Sequence, residues 1–270
     1  MESGWGLGQS DRVVENELVS AAALGENAEA ERLLAGGASP DEPDEDGDTA
    51  LYRAAVQGHA DIVRMLLAAG ADPDREGTGD GGGLPLCAAA CWGHLDAVVA
   101  LLDAGADPNR REDEAGSAMT ALHWAASNEH LAVVNTLLAR GAAPDLGGAT
   151  GRTALSHAAA RGATAVVRTL LDHGAHPGVR DDQGRRPVDL ALPYAGRDIE
   201  AELRAEAAEH APQGARIDIR REESEGGDVR IVAEVYDADG DLRSERSLST
   251  GHAEIVRLLH AREPEATHRP

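Results

Sequence analysis

The chain has 270 residues and a formal net charge of −23, from 48 acidic and 25 basic side chains. A surface of that sign repels phosphate backbones and anionic membranes, which excludes nucleic acid and bilayers as general partners and favours a basic one. All the basic residues are Arg and Phe is absent, so the composition points to a GC-rich, bacterial source and to a core of Leu, Val, Ile and Ala. No apolar run approaches the ~20 residues that cross a bilayer. The start MESGWGLGQS has no basic segment followed by an apolar one, so no signal peptide is expected. Two cysteines, Cys87 and Cys91, are too few for a disulfide framework. We expect a cytoplasmic, monomeric protein with reduced thiols.

Residues 1–10 read as a tail, and from residue 11 one spacing governs the chain. Leu18 and Gly37 are nineteen residues apart, as are Leu51 and Gly70, Leu86 and Gly105, Leu122 and Gly141, and Leu155 and Gly174. A fixed internal period marks a repeat array. Paired alanines follow each leucine: Ala21/Ala22, Ala54/Ala55, Ala89/Ala90, Ala125/Ala126 and Ala158/Ala159. Seven residues after the leucine stands Gly25, Gly58, Gly93 or Gly162, with Glu129 in the fourth copy. An apolar set such as Ile62, Val63, Leu66 and Leu67 then gives the stripe of a short amphipathic helix. The closing Gly suits a left-handed helix stop, and Pro40, Pro73, Pro108, Pro144 and Pro177 each follow three residues later. The unit is helix, tight turn, helix, Gly stop and loop, with Thr49, Thr120 and Thr153 placed to cap the first helix.

This unit resembles the ankyrin repeat, which has a 33-residue period and a TPLH-type helix start. The period is 33 from Leu18 to Leu51, from Leu122 to Leu155 and from Leu155 to Val188, and widens to 35 and 36 where REGTGDGGG and RREDEAGSA lengthen the loops. The first copy carries Glu29 and Ala30 where its neighbours have Val or Ile, as an outermost repeat would. A sixth copy, RRPVDLALPYAGRDIEAELRAE, is degenerate and keeps only Ile199 and Leu203 in its second helix. The expected fold is an all-α ankyrin solenoid over residues 11–207, with about five full repeats and that sixth as a cap.

Residues 208–250 leave the period. RIDIR and VRIVAEVY alternate around EESEGGD, which reads as a β-hairpin. GHAEIVRLLH at 251–260 then nearly copies GHADIVRMLL at 58–67, so residues 251–262 are expected to form a terminal ankyrin-like helix, with 263–270 a tail. The hairpin reads as an insertion within or after a seventh, partial repeat. A similar layout, a strand-rich insert before a last GHA-type helix, occurs in a group of bacterial ankyrin proteins and assigns no function.

The candidate chemistry dissolves on inspection. The acidic runs DEPDEDGD (41–48) and YDADGD (236–241) could suggest Ca²⁺, but neither puts Gly at the sixth position and a carboxylate at the twelfth. Cys87, Cys91 and His94 lack a fourth Zn ligand, and His94 repeats as His59 and His130 where no cysteine accompanies it. His123 follows an anchor leucine, where the resemblance implies that it braces a loop. Nothing arranges a catalytic triad, a metalloprotease helix or a phosphate loop, so no enzyme, metal or cofactor is expected.

In the ankyrin fold the first helices and loop tips line a concave face. The side chains six residues after each anchor should point into it: Leu24, Gln57, Trp92, Asn128, Arg161 and Tyr194. This mixture of Trp, Tyr, Arg and amides is enriched in protein interfaces. Asp46, Asp48, Arg152 and Arg185 would rim it, while Tyr52 and Trp124 read as packing residues. The expected function is a protein–protein interaction module with a partner on this face. The alternative is an acidic inhibitor or immunity-type protein that blocks a basic site by charge.

Overall fold

The computed structural model describes residues 9–77, 83–112, 117–225 and 227–262. They form helix pairs followed by a three-stranded antiparallel sheet and a last helix. Contacts divide the chain into two compact units: residues 1–128 with 136–142, and residues 129–135 with 143–270.

The first unit opens with α1 (Gln9–Leu24) and α2 (Asn27–Ala35), followed by α3 (Ala50–Gln57), α4 (Ala60–Ala68), α5 (Pro85–Cys91), α6 (Leu95–Asp103) and α7 (Ala121–Ser127). The first helices stack α1 on α3, α3 on α5 and α5 on α7, while α2 packs on α4 and α4 on α6. Leu18, Leu51, Leu86 and Leu122 are buried with the alanine pairs that follow them. Each such leucine contributes about 1.5–3 kcal/mol, and the alanines let neighbouring helices close in. Thr49 caps α3 by accepting the Tyr52 N–H at 3.1 Å. His123 folds back inside α7, where its Nδ1 accepts from the Thr120 N–H at 3.1 Å and lies 2.8 Å from the Thr120 hydroxyl. This imidazole braces its own helix start. Successive loops are stitched by the residue after each proline: Asp41 accepts the Asp72 N–H at 3.0 Å, Asp74 accepts the Asp107 N–H at 3.1 Å, and the Asn109 amide donates to the Gly141 carbonyl.

Helix α8 (Leu131–Ala139) leads onward, and the second unit holds α9 (Ala154–Arg161), α10 (Thr164–Asp172) and α11 (Pro187–Ala191). A 3-10 turn (Leu192–Tyr194) and α12 (Ile199–His210) precede β1 (Arg216–Glu223), β2 (Val229–Tyr236), β3 (Leu242–Ser249) and α13 (His252–Arg262). The sheet order is β1-β2-β3, so the alternating runs are joined by a third strand that the hairpin reading omitted. LRSERSLS pairs from Arg230↔Ser249 to Tyr236↔Leu242. Its charged residues disguise it, because it is an edge strand and exposed over 242–246.

The sixth helix pair is also corrected. Ile199 and Leu203 belong to α12 and pack with Ile231, Ala233 and Leu248 of the sheet. The partner of α11 is α13, which also packs on α10. A register built into the repeats supports this pairing. The His94 ring sits where a Cβ on Gly58 would stand, 2.5 Å from its Nδ1, and its Nε2 meets the Val56 carbonyl at 3.0 Å. The His252 ring does the same at Gly162, with its Nδ1 2.7 Å from that Cβ position and its Nε2 3.1 Å from the Ala160 carbonyl. Residues 192–251 therefore lie between the paired helices α11 and α13.

Candidate interaction surface

Within the first unit, the row of side chains sits at the C-terminal ends of α1, α3, α5 and α7. Leu24 is 69% exposed and Trp92 62% exposed, and Gln57 between them is also exposed. Asn128 is half-buried: its amide donates to the Trp124 carbonyl at 3.1 Å and approaches Cys91 Sγ at 3.6 Å. Cys87 is buried behind them, and burial raises its thiol well above the ordinary range. Beside the row, Trp124 is half-buried and donates its indole N–H to Glu112 at 2.5 Å.

The rim residues of this unit differ from each other. Asp46 is exposed, as expected of a loop tip. Asp48 is only 4% exposed and pairs with Arg53 at 2.9 Å, which removes it from the rim. Asp44 supplies the turn instead, accepting the N–H groups of Asp46 and Asp48 at 3.0 and 2.9 Å. Burial raises the Asp48 carboxyl, with Asp44 and Asp46 adding to the rise and Arg53 opposing it.

In the second unit the corresponding positions are occupied. Arg161 is half-buried and donates to the Ser247 hydroxyl on β3 at 2.8 Å. The Tyr194 ring lies 5.0 Å from that of His252 and packs against the α12–sheet core. Arg161 lies against β3 of the inserted segment, and Tyr194 opens that segment and is half-buried against its core. Arg152 and Arg185 converge on one carboxylate, Asp181, at 3.6 and 2.8 Å. Asp181 is 5% exposed and also accepts the Gln183 and Arg185 N–H groups. Burial alone would raise its carboxyl, but these donors outweigh it and hold the pKa at about 2. Asp237 closes the YDADGD turn with the same pattern, accepting from Asp239 and Asp241. The acidic runs are thus turn-building motifs, and the described residues hold no group of three or more metal-ligating side chains.

The docking of the insert centres on Glu129. It keeps the left-handed conformation of its glycine counterparts, at φ 64°, which costs an L residue about 1–2 kcal/mol. In the next copy Ala163 stands where His59 and His94 stand, so no imidazole covers the turn. The Glu129 carboxylate is buried and accepts from the Ser249 hydroxyl at 2.6 Å. Burial raises its pKa against the pull of Ser249, Arg161 and Arg230. Carboxylates of the β1–β2 loop complete the junction: Asp228 accepts the Thr164 N–H at 2.6 Å and Glu225 the Ala132 N–H at 3.0 Å. Both sit at helix starts, where an anion complements the free N–H groups and the dipole. Ala163 cannot cap α10 itself, so Asp228 does so from 64 residues away. The Gly-to-Glu and His-to-Ala changes were the signal in the sequence, but nothing there paired them with Ser249 or Asp228.

The family described as ankyrin repeats (3 copies) matches residues 18–112 and 111–181. The chain belongs to the ankyrin repeat family. No curated protein matches it. Ankyrin repeats are generally protein–protein interaction modules and typically not enzymes, and no described helix of this ankyrin protein is long and apolar enough to cross a membrane. The matched residues include the open row of the first unit and stop before the insert.

Proposed function

We propose that this ankyrin protein binds a partner protein through the open row of its first unit, with Trp92 as the anchor. The observation that carries this reading is the 62% exposure of Trp92 at the end of α5, next in the row to exposed Gln57 and then exposed Leu24. A large indole held on a rigid helix end loses little conformational freedom on binding, which is why Trp is enriched among interface anchors. About five full repeats and a sixth built from α11 and α13 would supply the scaffold. The row would be its concave face, the net charge of −23 favours a basic partner, and the protein acts as a monomer in the cytoplasm.

Affinity capture from the source cells tests the reading. A partner held by the wild type should be lost on Trp92→Ala, at least tenfold in yield, and kept on Arg161→Ala. Equal capture by wild type and Trp92→Ala removes the row from the reading. The charge-blocking alternative predicts a different result: affinity that falls steeply from low to high salt whether or not Trp92 is present.

A further inference from the structure

The inserted segment carries its own apolar core and is fastened to the repeats by hydrogen bonds. Ile199, Leu203, Ile231, Ala233 and Leu248 pack together, joined by Tyr194, Ala207 and Ile219, and all of them lie between residues 192 and 251. The fastenings are separate points in the second unit. Ser249 donates to Glu129, Arg161 donates to Ser247, Asp228 accepts the Thr164 N–H, Glu225 accepts the Ala132 N–H, and the Gly251 N–H donates to the Gly162 carbonyl at 3.1 Å. They are specific. Helices α4 and α6 carry Asp61 and Asp96 in their first turns, whereas α8 and α10 have no acid there and take Glu225 and Asp228 from the insert. The same junction is incompletely bonded. Six buried side-chain atoms of the described residues have no hydrogen-bond partner, and five of them are here: Glu129 Oε1, Arg161 Nε, Thr164 Oγ1, Arg230 Nε and His252 Nδ1. Each gives up hydration on docking and gains no bond in return.

We propose that the insert is a lid. The body made of α12 and the three strands lifts from the ends of α8, α9 and α10 as one piece, with its core intact, and closes again on the borrowed carboxylates. Opening returns the five unpaired groups to water, while the apolar residues that are costly to expose stay buried in the lid. A segment with its own core and a polar, imperfectly bonded seat is the kind that opens below the free energy of global unfolding. The closed lid covers Arg161, Glu129 and the starts of α8 and α10; the open lid presents them. The lid belongs to the second unit alone, so it stands or falls apart from the interaction reading above.

Native-state amide exchange on the full chain, followed residue by residue by NMR, tests the lid. The N–H groups of Ala132, Thr164 and Gly251 should exchange with one common opening free energy, about a hundredfold or more faster than those of Val232 and Ala233 in the central strand. Equal protection at the two sets of amides means that the insert does not open on its own, and the proposal fails. Loss of protection at Val232 and Ala233 together with the junction means that the insert unfolds rather than lifts, which also overturns it. Two variants test whether the contacts act together. Asp228→Ala removes one carboxylate, and exchange should quicken about fivefold at Ala132, the amide held by Glu225, as well as at Thr164. Ser249→Ala leaves both loop carboxylates in place and should quicken the same two amides by a common factor. A change confined to Thr164 in the first variant, or absent from both amides in the second, shows independent contacts and no lid.

Discussion

Gln57 and Arg161 occupy the same place in their repeats, one helix end each, and meet opposite fates. In the first unit Gln57 stays open, as do Leu24 and Trp92 on either side in the register. In the second unit Arg161 bonds to Ser247 of the insert and the Tyr194 ring lies tilted against that of His252. The lesson is that a repeat register assigns a backbone position but not its surroundings. A row of helix ends presents itself to a partner only where the protein does not place another part of itself upon it.

The largest expected effect breaks the covered half of this comparison. Gly162 is left-handed at φ 81°, and a Cβ there would stand 2.3 Å from the Ser249 carbonyl oxygen and against the His252 ring. Gly162→Ala combines the left-handed penalty with overpacking and should cost about 3 kcal/mol, read by urea unfolding. At Gly37, also left-handed but with nothing within 4 Å, the same change should cost only the backbone term, about 1–2 kcal/mol. Equal losses at the two sites would deny the close approach of the insert.

A smaller effect sharpens the comparison. Asp228→Ala removes the remote cap of α10 and should cost about 1 kcal/mol, with faster amide exchange at Thr164 as the local readout. An unchanged Thr164 amide would show that the β1–β2 loop does not hold this helix start.

The smallest effect contrasts the rims. The folded pKa of Asp181 is depressed to about 2, so its stabilisation is present above the ordinary carboxylate value and is lost as pH falls from 3.8 through 2. Asp48 is raised, so the folded state prefers it protonated and acidification through its pKa favours folding. Carboxyl NMR titrations should therefore show Asp48 protonating before Asp181 as pH falls. The reverse order would contradict both environments.

Most of the fold was legible because it is written in local spacing. Leucine anchors, alanine pairs, glycine stops and threonine caps act within one helix or one turn, and copies of them reinforce the reading. Most of the failures involve distance along the chain. Ile199 and Leu203 have the right spacing for a second helix, yet spacing does not say whether a stripe packs on another repeat or on a sheet. The charged β3 is stabilised as an edge by β2, not by its own pattern. Asp48 looked like a loop tip because the neighbouring Asp44, rather than Asp48, makes the exposed turn bonds. Trp92, whose environment is solvent and its own helix end, needed no distant partner to be placed, whereas Arg161 did. Glu112 was hidden for the same reason: its meaning comes from Trp124, twelve residues on, whose indole N–H it accepts.

The split sixth pair has a consequence for the order of assembly. Neighbouring helices elsewhere in the stack meet across short turns, while α11 and α13 are separated by the sixty residues 192–251. Closing about sixty residues rather than about five adds roughly 2 kcal/mol of chain entropy, and contacts of high sequence separation are made late in folding. Pairing of the strands between them shortens the loop that α11 and α13 must close, so it lowers this cost. Until that loop closes, the emerging chain carries an unfinished end, with α11 in place and its partner still in solution.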